Sequence, residues 1–187
     1  LVYSLLCVAL ATGNALFWLH KWHKQGVELC FADTMMTGVQ PSFLLMLLIP
    51  PTLGLVHQLK FILEQPFVIC ALDNRSRLAR NLLAALLFIA FRAVMAVSIP
   101  SIALGALLFR GSKPCTWESG ASYYAYMTGQ TLITPVKTGS LIVWQAMTIW
   151  LTVLLVSILF LSINLSCESH QLGSILSWGV CLLALVM

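Results

Sequence analysis

The chain alternates between long runs in which nearly every position is apolar and short connections that hold almost all of its charge. Residues 1–19 carry no charged side chain, and at a rise of about 1.5 Å per residue such a run spans roughly 28 Å, close to the hydrocarbon thickness of a bilayer. Residues 43–59 form a second, shorter run interrupted by Pro50-Pro51. The two missing backbone donors leave carbonyls one turn earlier in need of other partners and predict a kink. Residues 82–109 make a third run, with Arg92 and Pro100 inside it, and residues 141–165 a fourth without charge. A fifth begins at 172 and continues to 187. The pattern predicts an all-α fold: a polytopic transmembrane helical bundle with five spans in this sequence, a sixth expected in a longer one, and one membrane domain over residues 1–187.

Composition narrows the class further. Hydrophobic residues make up 60% of the 187 and charged residues 9%, whereas a soluble domain carries about a quarter charged. Too little polar surface is available to cover a water-soluble core. Residues 1–19 lack the basic start and small-residue cleavage pattern of a secretory signal and are read as structure. The densest basic group, Lys60, Arg75, Arg77 and Arg80, puts the connection between the second and third spans on the cytoplasmic side. Residues 20–42 and 110–140 then lie outside and 166–171 inside. Trp18, Trp22, Trp117, Tyr123, Tyr124 and Tyr126 suit an interfacial aromatic belt. The outer segment 111–140 is either a lid over an exit or a simple interfacial loop.

Few side chains in the runs carry chemistry. Arg92, about 18 Å along a helix from Arg80, is expected well inside the hydrocarbon, where inserting Arg costs about 2.5–3.5 kcal/mol. Its expected partners are carbonyls freed by Pro50-Pro51, Asn14, or a group on another subunit. Arg92 and Asn14 are therefore candidates for a transport pathway or a subunit contact, against a purely structural capping role. His20 and His23 lack a third ligand nearby, so no metal site is assigned. The six cysteines include no C-x-x-C. Cys30 and Cys115, both assigned to the outside, are the one candidate disulfide. No charge pattern points to nucleic acid.

The connection at 64–80 is too apolar for an exposed loop. Pro66 suits the first turn of a helix with Glu64 at its positive end. Phe67, Val68, Ile69 and Leu72 would make that turn apolar, and Asp73 or Asn74 can cap the basic helix that follows. Such a turn either docks in a partner's groove or lies flat at the membrane interface.

The run Pro66-Phe67-Val68-Ile69-Cys70-Ala71-Leu72-Asp73-Asn74-Arg75-Ser76-Arg77, leading into Leu82-Leu83, resembles the connection between spans two and three in permease subunits of bacterial ATP-binding cassette (ABC) exporters of the type-two class. The stretch Tyr126-Met127-Thr128-Gly129-Gln130-Thr131-Leu132-Ile133-Thr134-Pro135 before the fourth span is similar to the same family, in particular to exporters and immunity permeases for antimicrobial peptides and bacteriocins. The resemblance implies a coupling helix seated on a separate ABC ATPase subunit, with Glu64, Pro66, Phe67, Ile69, Leu72, Asp73, Arg75 and Arg77 at the contact. It also implies a second membrane subunit, identical or different, in contact with membrane lipid in the bacterial plasma membrane.

The sequence has no G-x-x-x-x-G-K-[ST] phosphate loop, so ATP and Mg are expected on the partner and no cofactor on this chain. The expected function is a non-enzymatic transmembrane subunit exporting amphipathic peptides, lipids or drug-like molecules. The alternatives are a membrane channel or assembly protein without an ATPase, and an intramembrane enzyme. The last lacks the acid that such chemistry needs within a span.

Overall fold

The structure, a computed structural model, describes residues 2–63, 75–110, 115–131 and 136–166. Its helices are α1 (Val2–Lys24), α2 (Phe31–Thr37), α3 (Pro41–Phe43), α4 (Ile49–Leu63), α5 (Arg75–Leu108), α6 (Tyr123–Thr128) and α7 (Thr138–Ser166). A π-helical turn, Leu44–Leu48, joins α3 to α4 without a break. Four stretches are long and apolar enough to cross a membrane: Val2–Lys24, Pro41–Leu59, Arg77–Leu108 and Thr138–Ile163. They match the first four runs of the sequence pattern, with α5 beginning earlier than the third run suggested. The fifth run, 172–187, lies outside the described residues. Among the described residues no strand forms, and one isolated bridge pairs Glu28 with Ser122.

In hydrocarbon each backbone polar group must find a partner within the protein. The chain passes Pro50 and Pro51 by widening the preceding turn, where the Ile49 N–H donates to the Leu44 carbonyl five residues back. The kink expected at the proline pair thus takes the form of a π-helical turn. Just beyond it, the Thr52 hydroxyl donates to the Leu48 carbonyl at 2.7 Å. With that hydrogen committed, Tyr3 Oη donates to Thr52 Oγ1 at 2.9 Å and ties the start of α1 to α4. Beside Pro100 a second hydroxyl acts similarly, Ser101 Oγ donating to the Val97 carbonyl at 2.9 Å.

One face of α1 is buried through Tyr3, Cys7, Ala11 and Ala15, spaced four residues apart. Its small side chains allow close approach to Ala90, Ala93 and Val97 of α5. Phe43, Leu48, Ile149 and Val153 complete this cluster. Toward the Arg77 end of α5 a second cluster joins Leu53 and Val56 of α4 to Leu86 and Ile89 of α5 and Phe160 and Leu161 of α7. Large apolar side chains such as Phe17, Ile99, Val143 and Leu155 stay exposed on the outside of the bundle, as helices in contact with acyl chains require.

The opposite end is capped. Residues 20–42, expected as a connection, hold the last turn of α1 and the buried helix α2, which packs among α1, α5 and α7. Two glycines make room for this packing. A Cβ at Gly105 would meet Phe31 Cδ2 at 2.6 Å and Thr34 Oγ1 at 2.7 Å, and one at Gly38 would meet Gln145 Nε2 and, at 2.9 Å, Val97 Cγ1. Overpacking of this kind costs about 1–3 kcal/mol. Gly105→Ala is therefore expected to lower the thermal unfolding midpoint of the purified protein in detergent. Gly54→Ala, which meets nothing within 4 Å, should leave it at or above the wild-type value.

Candidate functional site

Arg92 is a half-buried charged side chain between α1 and α5. Its Nη2 donates to Ser4 Oγ at 2.8 Å and its Nε to the same oxygen at 3.2 Å. The guanidinium lies 5.6 Å from the Phe88 ring centroid, a cation–π contact. The partner is thus a hydroxyl on α1 rather than Asn14 or a carbonyl near the proline pair. Asn14 is engaged elsewhere, its Nδ2 donating to the Thr37 carbonyl at 2.9 Å. It ties α1 to the end of α2, and the structure does not bring Asn14 and Arg92 together.

Around Arg92 a groove of about 580 Å³ opens between α1 and α5. Ser4, Val8 and Thr12 line it from α1, and Phe91, Met95 and Leu107 are among the residues lining it from α5. Apart from Arg92 and the two small hydroxyls its wall is apolar.

From Arg92 to Leu108 the helix rises about 24 Å, and from Ser4 to Trp18 about 21 Å. With Trp18, Lys21 and Trp22 marking the capped-end interface, Arg92 lies roughly two thirds of the way across a hydrocarbon layer of about 30 Å, in reach of the opposite interface. From Arg80 it is about 18 Å along α5, which at 34 residues measures about 51 Å.

The capped end holds a second polar cluster. Asp33, fully buried, accepts from Trp117 Nε1 at 2.7 Å and from the Cys30 N–H at 2.7 Å. The carboxylate thereby fastens the first turn of α2, whose dipole favours it there, to the segment 115–131. Trp22 and Tyr123 pack with ring centroids 4.2 Å apart and add an apolar contact between α1 and α6. Residues 115–131 are therefore packed into the bundle end through Trp117 and Tyr123. Beside it a cavity of about 490 Å³ is lined by Trp18, Trp22, Tyr123, Tyr126 and Trp144. Gln40, also in its wall, has a buried Oε1 without a hydrogen-bond partner.

Cys30 and Cys115 belong to one cluster with Ala32, Trp117 and Leu141, but both are free thiols. Burial pushes the Cys30 thiol up to about 11, and the neighbouring Asp33 charge adds to the shift. His20 and His23 are exposed on the last turns of α1, and no group of metal-binding side chains forms among the described residues. The expected coupling residues Glu64, Pro66, Phe67, Ile69, Leu72 and Asp73 lie outside the described residues. Arg75 opens α5 and Arg77 is exposed on its first turns.

Sequence reading missed Ser4 and Asp33. The stripe Ser4, Val8, Thr12, with four-residue spacing, was the available signal for the α1 wall of the groove. Asp33 carried a weaker one, an acid three residues after Cys30 at a helix start. Comparison with family models, curated proteins and solved structures finds no match to the chain.

Burial holds the Asp33 carboxyl above the usual carboxylate range, outweighing the hydrogen bonds from Trp117 and Cys30 that pull it down. A carboxyl that binds its proton more tightly folded than unfolded contributes most to stability at low pH. That contribution is lost as pH rises from the ordinary carboxylate range through the folded value. Thermal unfolding followed by tryptophan fluorescence from about pH 4 to about pH 8 should show this decline in wild type. In Asp33→Asn the same decline should be reduced.

Proposed function

We propose that the chain is the transmembrane subunit of an ATP-driven exporter in the bacterial plasma membrane, non-catalytic itself and powered by a separate ABC ATPase. On this reading its five spans form half of a pathway that a second membrane subunit completes, and the cargo is an amphipathic peptide, lipid or drug-like molecule. The observation that carries the proposal is the length and charge of α5. At about 51 Å the helix is some 20 Å longer than the hydrocarbon layer, and its excess, with Arg77 and Arg80 exposed, lies at the end opposite the cap. The basic turns favour the cytoplasmic headgroups, on the side where a soluble ATPase would bind.

Two further features support a transport role over catalysis. All of the acidic residues fall outside the four spans, so no carboxylate is available for acid–base work in the membrane. The aromatic cavity at the capped end offers flat apolar surface with a polar rim, suited to an amphipathic molecule.

Detergent copurification of the full-length protein, with an ATPase assay, tests the proposal. Wild type is expected to bring down an ATP-hydrolysing subunit, and Phe67→Asp with Ile69→Asp to lose it while the membrane protein itself is recovered at normal yield. Wild type recovered intact without ATPase activity would favour the channel or assembly reading.

A further inference from the structure

The groove between α1 and α5 poses an electrostatic problem that the protein leaves half solved. Arg92 is always charged, yet among the described residues its hydrogen bonds go to one neutral hydroxyl, Ser4 Oγ, through Nε and Nη2. The remaining guanidinium N–H groups have no protein acceptor among those residues. No acid lies in any of the four spans to neutralise it. A guanidinium presents five donors in a planar fork that matches the oxygens of a phosphate. Ser4 already holds one side of that fork, and the rest faces the groove.

The shape of the groove supplies the second half of the inference. From Arg92 its wall runs along α5 through Met95 and Ile99 to Leu107, a rise of about 22 Å. One leaflet of the hydrocarbon layer is about 15 Å deep. The groove is therefore long enough for an extended acyl chain, with the cation at one end and apolar surface beyond it. Arg92 is also in reach of the interface nearer the Arg77 end of α5, where lipid phosphates lie, so a headgroup could meet it without being drawn to the bilayer centre.

We propose that this groove binds one anionic phospholipid, its phosphate paired with Arg92 beside Ser4 and one acyl chain lying along α5 toward Leu107. The charge of the headgroup compensates the arginine, and the chain covers apolar surface that the described residues leave open. The site is independent of whether an ATPase attaches at the other end of α5, so either proposal can fail alone.

Native mass spectrometry of the detergent-purified full-length protein, titrated with phosphatidylglycerol or phosphatidylcholine, tests the site. Wild type is expected to retain one phosphatidylglycerol roughly tenfold more tightly than phosphatidylcholine, the scale of one charge-assisted contact. Inorganic phosphate should not displace it. Arg92→Gln should abolish the preference and Arg92→Lys should keep part of it. Ala103→Phe, which fills the groove while sparing the cation, should weaken both lipids. Equal retention of the two lipids by wild type would overturn the proposal, and so would an undiminished phosphatidylglycerol preference in Arg92→Gln. A Met95→Cys variant that cross-links between two copies in phosphatidylglycerol-saturated protein would also overturn it, since the groove would then be a subunit interface.

Discussion

Each backbone group that loses its helical partner in hydrocarbon must find another within the protein, because no water is present to supply one. The bundle is organised around that constraint. The turn before Pro50-Pro51 widens so that Ile49 reaches Leu44, and Thr52 adds a donor just past the prolines while receiving Tyr3 from α1. A hydroxyl just past the break in one helix thus becomes the contact that ties it to another. Ser101 adds a donor beside Pro100 and also accepts from Gln145 of α7 at 3.4 Å. Hydroxyls next to prolines connect the helices where apolar packing alone would leave their relative position less defined.

The same shortage of polar partners explains why the two ends of the bundle differ. At the capped end the protein supplies its own partners. Asp33 receives Trp117 and the backbone of Cys30, Asn14 binds the carbonyl that ends α2, and Gly105 lets α2 lie directly against α5. Around Arg92 the described residues do not: one hydroxyl and one aromatic ring meet a full positive charge.

Much of the architecture was legible from the distribution of charge. The first four apolar runs correspond to the four helices capable of crossing a membrane, because in a bilayer a long uncharged run has few alternatives to a helix. Helix ends were less legible. The apolar run alone starts at 82, but the reading of Asp73 or Asn74 as the cap of a basic helix anticipated the earlier start, and α5 begins at Arg75, since a helix can continue into water once its apolar part is anchored. The buried position of α2 was hidden for a different reason. Phe31–Thr37 is short and mixed in character, and its burial depends on Gly105 and Trp117, which are distant in sequence. Arg92 was recognisable as an unusual residue, but its partner Ser4 lies on another helix and only the packing of α1 against α5 identifies it. The cavity at the capped end likewise gathers Trp18 and Trp144 from separate runs.

The most direct measurement is the sidedness of α5, since the bundle, the groove and the projecting basic turns all require its ends to lie on opposite sides of a membrane. In a background without the native cysteines, Glu118→Cys at the capped end and Arg77→Cys at the other would each be exposed to a membrane-impermeant maleimide added to intact cells. Labelling at 118 in intact cells, with labelling at 77 appearing only after permeabilisation, is the predicted result. Labelling of both positions in intact cells, or of 77 alone, would contradict it.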